Sequence, residues 1–235
     1  MSANRPQEKI SMFSKATFSF LDELAANNSR AWFEANKPRY EALVREPALD
    51  FIKAMEPELK KFAPNFRAEP RKVGGSLMRV FRDTRFSRDK TPYKTNVGIQ
   101  FRHALGKDIH APGFYLHIAT DECFFAVGCW HPEADALGKM RELIAKNPEQ
   151  WFAARNDKKF TAQWELWGDT LTRPPRGYAA DHPAIDDLKR KDFVAIAPLS
   201  AREVVDAGLV KLAGKRFAET APFMKFLCKA LDVSY

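Results

Sequence analysis

The spacing of apolar residues changes twice along the chain and so divides it into three parts. From 14 to 64 the spacing is helical. Phe18, Leu21, Leu24 and Ala25 recur at three- and four-residue intervals behind Thr17, which is placed to cap a helix. Asn27-Asn28 ends that segment and is placed to cap the next, Ser29 to Asn36, which carries Trp32 and Phe33. Pro38 suits a first helical turn, and Tyr40, Leu43, Val44, Phe51, Ile52, Met55, Leu59 and Phe62 then form a long apolar stripe. Pro47 and Pro57 are each expected to start a new helix or kink the old one, because proline has no N–H to donate and its ring crowds the preceding turn.

From 76 to 131 the period is two. Val97, Ile99 and Phe101 alternate with Asn96, Gly98, Gln100 and Arg102, and Phe114, Leu116 and Ile118 alternate with Tyr115 and His117. Cys123 to Trp130 is apolar on both parities, and Leu77 to Arg82 precedes the set. This predicts four strands joined by short connections at 83–92, 104–112 and 120–122, which favour an antiparallel meander. After Trp130 helical spacing returns with Leu137, Met140, Leu143 and Ile144, then Trp151-Phe152 behind Pro148. Ser200-Ala-Arg-Glu203 has the form of a capping box, and 209–231 reads as two helical pieces split at Pro222. The Pro-, Gly- and Arg-rich stretch at 169–183 reads as an ordered surface loop. With no internal repeat or linker, the expectation is a single α+β domain over 1–235. Its central antiparallel sheet of about four strands, at 76–131, is flanked by helical parts at 14–64 and 132–235.

Composition agrees with a globular chain: 45% hydrophobic and 29% charged over 235 residues exclude disordered, collagenous and coiled-coil classes. No apolar run approaches the ~20 residues of a membrane helix, so no membrane partner is expected. The basic N-terminal residues are not followed by an apolar stretch, which makes a cytoplasmic location the expectation. Cys123, Cys129 and Cys228 form no C-x-x-C and read as small buried hydrophobes.

Charge adds more. Between Arg67 and Lys107 stand eleven basic and three acidic residues, so the whole formal excess of +8 sits in this segment. A field so concentrated attracts anions. Most catalytic patterns fail. Gly208 to Arg216 is one residue too long for a phosphate loop and ends on Arg216 where Ser or Thr is needed. His131-Pro-Glu133 lacks the downstream P-C-x-x-C of zinc deaminases. His103, His110 and His117 are seven apart, and the first and last would meet only on paired strands without a third ligand, so no metal or other cofactor is expected.

The run Arg79-Val-Phe-Arg82-Asp83-Thr-Arg85-Phe86-Ser-Arg88-Asp89-Lys90-Thr-Pro92-Tyr93-Lys94 is the exception. Guanidinium forks match phosphate or carboxylate, and lysine adds a point charge. The run resembles the signature R-x-x-R-D-x-R-F-x-x-[DN]-K-x-x-Y of the domain-of-unknown-function 2461 family, a bacterial family of similar length. Arg79, Arg82, Asp83, Arg85, Phe86, Asp89, Lys90 and Tyr93 fill every specified position. The likeness extends to Asn27-Asn28 with Trp32-Phe33, to Gly113-Phe-Tyr-Leu-His117, to Arg173-Pro-Pro-Arg176-Gly177 and to 187–193. It brings no assigned catalytic residues.

Three readings follow for this segment. Arg82 with Asp83, and Arg85 or Lys90 with Asp89, make an ion network that fixes a loop, with Phe86 and Tyr93 as anchors. Alternatively Arg79, Arg82, Arg85, Arg88, Lys90, Tyr93 and Lys94, with His117 from the sheet, bind an anionic small molecule or nucleic acid. Or the segment is the site of a phosphoester-processing enzyme, with Asp83 or Asp89 as acid, base or metal ligand. The leading expectation is binding of a phosphate-bearing or other anionic ligand.

Overall fold

The structure, a computed structural model, describes residues 11–106 and 111–235; Lys107 and His110 lie outside the described residues. Proline placement sets the layout of its first helices. Helix α1 (Lys15–Ala26) starts at Ser14, whose backbone N–H donates to Thr17 Oγ1 at 3.2 Å, so Thr17 lies inside the helix and not at its cap. Helix α2 (Arg30–Tyr40) is capped by Ser29, and a wider π-type turn, Glu41–Arg45, runs directly into α3 (Glu46–Phe62). Neither Pro38 nor Pro57 breaks its helix. Both face solvent, as do Glu34 and Lys53 one turn earlier, so water serves the carbonyls they leave unbonded. Pro47 lies in the first turn of α3 and offers no N–H to the Leu43 carbonyl, which instead accepts from the buried Thr17 hydroxyl at 2.8 Å.

The sheet has six strands, not about four. They are β1 (Phe66–Arg67), β2 (Val97–His103), β3 (Gly113–Ile118), β4 (Cys123–Cys129), β5 (Glu165–Trp167) and β6 (Phe193–Pro198), in the order β1-β2-β3-β4-β6-β5 with every pair antiparallel. The segment expected to be helical after 131 therefore holds two strands. Phe-Val-Ala-Ile-Ala-Pro of β6 is buried along most of its length and too short for its periodicity to tell strand from helix, and β5 has three residues. Conversely, 77–82 is no continuous strand. Leu77 pairs with Ile99 and Phe81 with Tyr93, but the chain leaves the edge of β2 between them.

Helix α4 (Ala134–Lys146), α5 (Pro148–Arg155) and α6 (Lys158–Thr161) follow β4. After β5 come the surface loop at 169–183, α7 (Ile185–Leu188) and β6. The chain ends with α8 (Ala201–Val204), α9 (Leu209–Glu219) and α10 (Ala221–Ala230). No described helix is long and apolar enough to cross a membrane.

Register gives the sheet two unlike faces. Ile99, Leu116 and Phe125 align across β2, β3 and β4 and are buried in the core. Phe217 of α9 sits over this face, with ring centroids 5.0 to 6.4 Å from Phe114, Phe125, Phe101 and Trp164. On the other face Gln100, Tyr115, Ala126 and Ile196 align, and beside them Gly98, His117 and Phe124. His103 lies on the core face opposite Phe66, and its Nε2 is 2.8 Å from the Ser234 carbonyl; His117 lies on the other face, so the two imidazoles do not meet.

Replacing Phe217 by Ala removes the ring shared by three strands and is expected to cost about 3–5 kcal/mol of unfolding free energy. Urea denaturation checks this.

Candidate functional site: a basic arm beside an open sheet face

Residues 79–94 form a two-stranded arm off the edge of β2. Met78 N–H donates to the Gly98 carbonyl at 2.9 Å, after which Arg82 N–H donates to the Pro92 carbonyl (2.9 Å) and Lys94 N–H to the Val80 carbonyl (2.7 Å). Pro92 has no N–H to extend this ladder, so side chains close the tip. The base of the arm is fixed by Asn28, in the turn between α1 and α2. Its amide Nδ2 donates to the Tyr93 carbonyl at 2.9 Å, and its Oδ1 accepts from Tyr93 N–H at 3.1 Å. Phe33 stacks on the Tyr93 ring with centroids 4.0 Å apart and planes 19° apart. Tyr93 is only 2% exposed, so this residue of the expected ligand set is an anchor in the core.

At the tip the ion pairs differ from those expected. Asp83 takes Arg85 in a fork, with Nε at 3.0 Å and Nη2 at 2.8 Å, while Asp89 pairs with Arg82 and also accepts from Thr91. Lys90 donates to the Thr84 carbonyl at 2.8 Å, not to Asp89. Antiparallel pairing accounts for the exchange, since it brings 82 back towards 89–92, whereas Asp83 meets Arg85 within one turn. Hydrogen bonds from Arg85 lower the Asp83 carboxyl to about 2, and those from Arg82 and Thr91 lower Asp89 to about 2. Both therefore stay ionised near neutral pH, where neither has a proton to give and each is a weak base.

The remaining cations lack such partners. Among the described residues no carboxylate lies within ion-pair distance of Arg79, Arg88, Lys90 or Lys94. The Lys94 ammonium is half-buried, and burial first, then the charge of Arg79, lowers its pKa. Phe86 at the tip is 95% exposed and Phe81 is 51% exposed. Between the arm and α2 runs a cleft of about 280 Å³ lined by Arg30, Glu34, Phe81, Arg82, Thr84, Pro92 and the edge of Tyr93.

Two residues beyond Lys94 the chain reaches the open face of the sheet. His117 Nδ1 accepts from the Tyr115 hydroxyl at 3.1 Å and lies 3.5 Å from Asn96 Nδ2, which leaves the ring hydrogen on Nε2. Burial lowers the His117 pKa and raises that of Tyr115 to about 12, so both are neutral at pH 7. Gly98 leaves room here: a Cβ would stand 2.8 Å from the Tyr115 hydroxyl and would push that side chain aside. Phe124 stacks beside His117, with centroids 4.6 Å and planes 5° apart. Asn28, Asn96 and Phe124 were absent from the expected site. Strand parity is the signal for Asn96, two residues from Lys94, and Asn28 was visible only as part of a pattern.

Among the described residues no three His, Cys, Asp or Glu side chains are grouped to hold a metal ion. The family described as Conserved hypothetical protein (DUF2461) matches residues 16–226. The chain belongs to that family. The stretch matched by DUF2461 includes Asn28, the whole arm and the open face. No curated protein and no solved structure matches the chain.

Two outcomes follow for this DUF2461 chain. Asn28→Ala strips both hydrogen bonds from the Tyr93 backbone and is expected to destabilise the fold by about 1–3 kcal/mol, with faster amide exchange at the base of the arm. The Asp83 pKa falls on folding, so its pairing stabilises the native state above the ordinary carboxylate range and is lost as pH falls towards 2. The stability gap between wild type and Asp83→Asn should therefore stay constant from about pH 8 to 5 and close below about pH 4. Urea titrations across that range measure it.

Proposed function

We propose that the protein binds a phosphate-bearing ligand at the base of the arm, with Arg79 and Lys94 as its seat and Arg88 and Lys90 as outlying contacts. The observation that carries this reading is that Arg79 and Lys94 stand at the base of the arm, where Lys94 pairs across it with Val80, and neither has a carboxylate within ion-pair distance among the described residues. Such an arrangement costs stability in the free protein, and a bound anion relieves it. A guanidinium fork grips phosphate oxygens in a plane, and the ammonium adds a compact charge. His117 Nε2 supplies a neutral donor nearby without adding charge. Arg82 and Arg85 are engaged with Asp89 and Asp83, so they shape the arm more than they meet a ligand. The enzyme reading has less support, because both candidate carboxylates are held ionised by arginines.

The test is thermal denaturation with inorganic pyrophosphate and tripolyphosphate. Ligand at a hundred times its dissociation constant should stabilise wild type by about 2.7 kcal/mol. Lys94→Met is expected to raise the melting temperature of the free protein, since it removes an unmatched charge, while abolishing the ligand-induced shift. Arg79→Ala should also abolish that shift, and Lys215→Ala on α9 should leave it intact. A Lys94→Met protein that melts lower than wild type, with no phosphate compound stabilising either, contradicts the reading.

A further inference from the structure

We propose that the open face of the sheet is a stacking platform for a single strand of nucleic acid whose backbone runs onto the basic arm. This rests on the reading that Arg79 and Lys94 hold phosphate, and it names the kind of molecule that carries the phosphate.

Helix α9 lies over the core face, where Ile99, Leu116 and Phe125 are buried. The opposite face carries Tyr115, His117, Phe124 and Ile196, all only half-buried. His117 and Phe124 stand directly opposite each other on β3 and β4 with parallel rings, a stack that an incoming base extends. At the far edge, Gly128, Val194 and Trp167 align in register, so Trp167 rises beside a low floor and is 50% exposed. Trp130, two residues beyond Gly128, is 65% exposed and stacks on His131 with centroids 4.5 Å apart. At roughly 4.8 Å per strand, the distance from β2 to β5 is about 19 Å, long enough for several nucleotides.

Charge complementarity chooses the occupant. The arm at one edge of this platform bears six basic and two acidic residues, and both acidic ones are already paired. An aromatic face with a basic arm at its edge fits a polyanion that carries flat rings. A single strand exposes base faces to Phe124 and Trp167, whereas a duplex keeps them stacked inside and offers only phosphates.

The experiment is fluorescence anisotropy with a labelled oligothymidine of about a dozen nucleotides, its duplex with oligoadenosine, and oligothymidine at several salt concentrations. Wild type should bind the single strand more tightly than the duplex. Trp167→Ala and Phe124→Leu should each weaken single-strand binding roughly 5- to 100-fold with the salt slope unchanged. Arg79→Ala and Lys94→Ala should each reduce that slope by about 0.7. Trp167 lies on an exposed edge, so its variant should melt as wild type does and give a clean result even if Phe124→Leu is destabilised. Duplex binding as tight as single-strand binding, or Trp167→Ala and Phe124→Leu proteins that bind like wild type, overturns the platform while leaving phosphate binding at the arm in place. If no oligonucleotide binds but pyrophosphate still stabilises the protein, the platform falls alone. If neither binds, both readings fall.

Discussion

The basic arm takes its shape from how Tyr93 is held. Six cations in sixteen residues repel one another, and two aspartates offset only part of that charge. Ion pairs at the exposed tip are screened by solvent and hold little. The anchor is instead buried: the Tyr93 ring stacks on Phe33 and leans on Phe81, while the Asn28 carboxamide satisfies both polar groups of its backbone. A side-chain amide that donates and accepts on one residue acts as a short piece of β-ladder. It ties the arm to the turn between α1 and α2, and so to the helical layer of the domain.

With the arm so held, its charges fall into two sets. Arg82 and Arg85 are consumed by Asp89 and Asp83 and stiffen the tip. Arg79 and Lys94 lie towards the sheet and make no ion pair among the described residues, and the charge of Arg79 acts on both Asp83 and Lys94. The open face continues from this point: Asn96 follows Lys94 at strand spacing and meets His117, which meets Phe124 on the next strand. The register of β2, β3 and β4 thus sets the aromatic surface across the middle of the sheet, and the basic arm leaves from its β2 side.

Much of this was legible in the sequence where a single physical signal dominated. The helical stripe from Tyr40 to Phe62 was readable, as were the alternating strands β2 and β3 and the concentration of charge. Pro47 opens α3 as expected, but Pro38 and Pro57 were over-read: each lies on an exposed face inside its helix, where losing one backbone hydrogen bond leaves a carbonyl to solvent. Strand β6 was missed because a buried strand loses the alternation that identifies strands. The partners of Asp83 and Asp89 were exchanged because they depend on how the arm folds back, and residue spacing carries no trace of that. Tyr93 was grouped with the ligand residues because it sits among them in sequence, whereas its ring is almost wholly buried against Phe33.

The proposal that Lys94 is a cation without an ion-pair partner that takes phosphate is tested most directly by titration of its ammonium by heteronuclear NMR. In the free protein the Lys94 pKa should lie below the ordinary lysine value of about 10.4, and saturating pyrophosphate should raise it. A Lys94 that titrates at or above the ordinary value in the free protein, and does not move when pyrophosphate is added, contradicts the account.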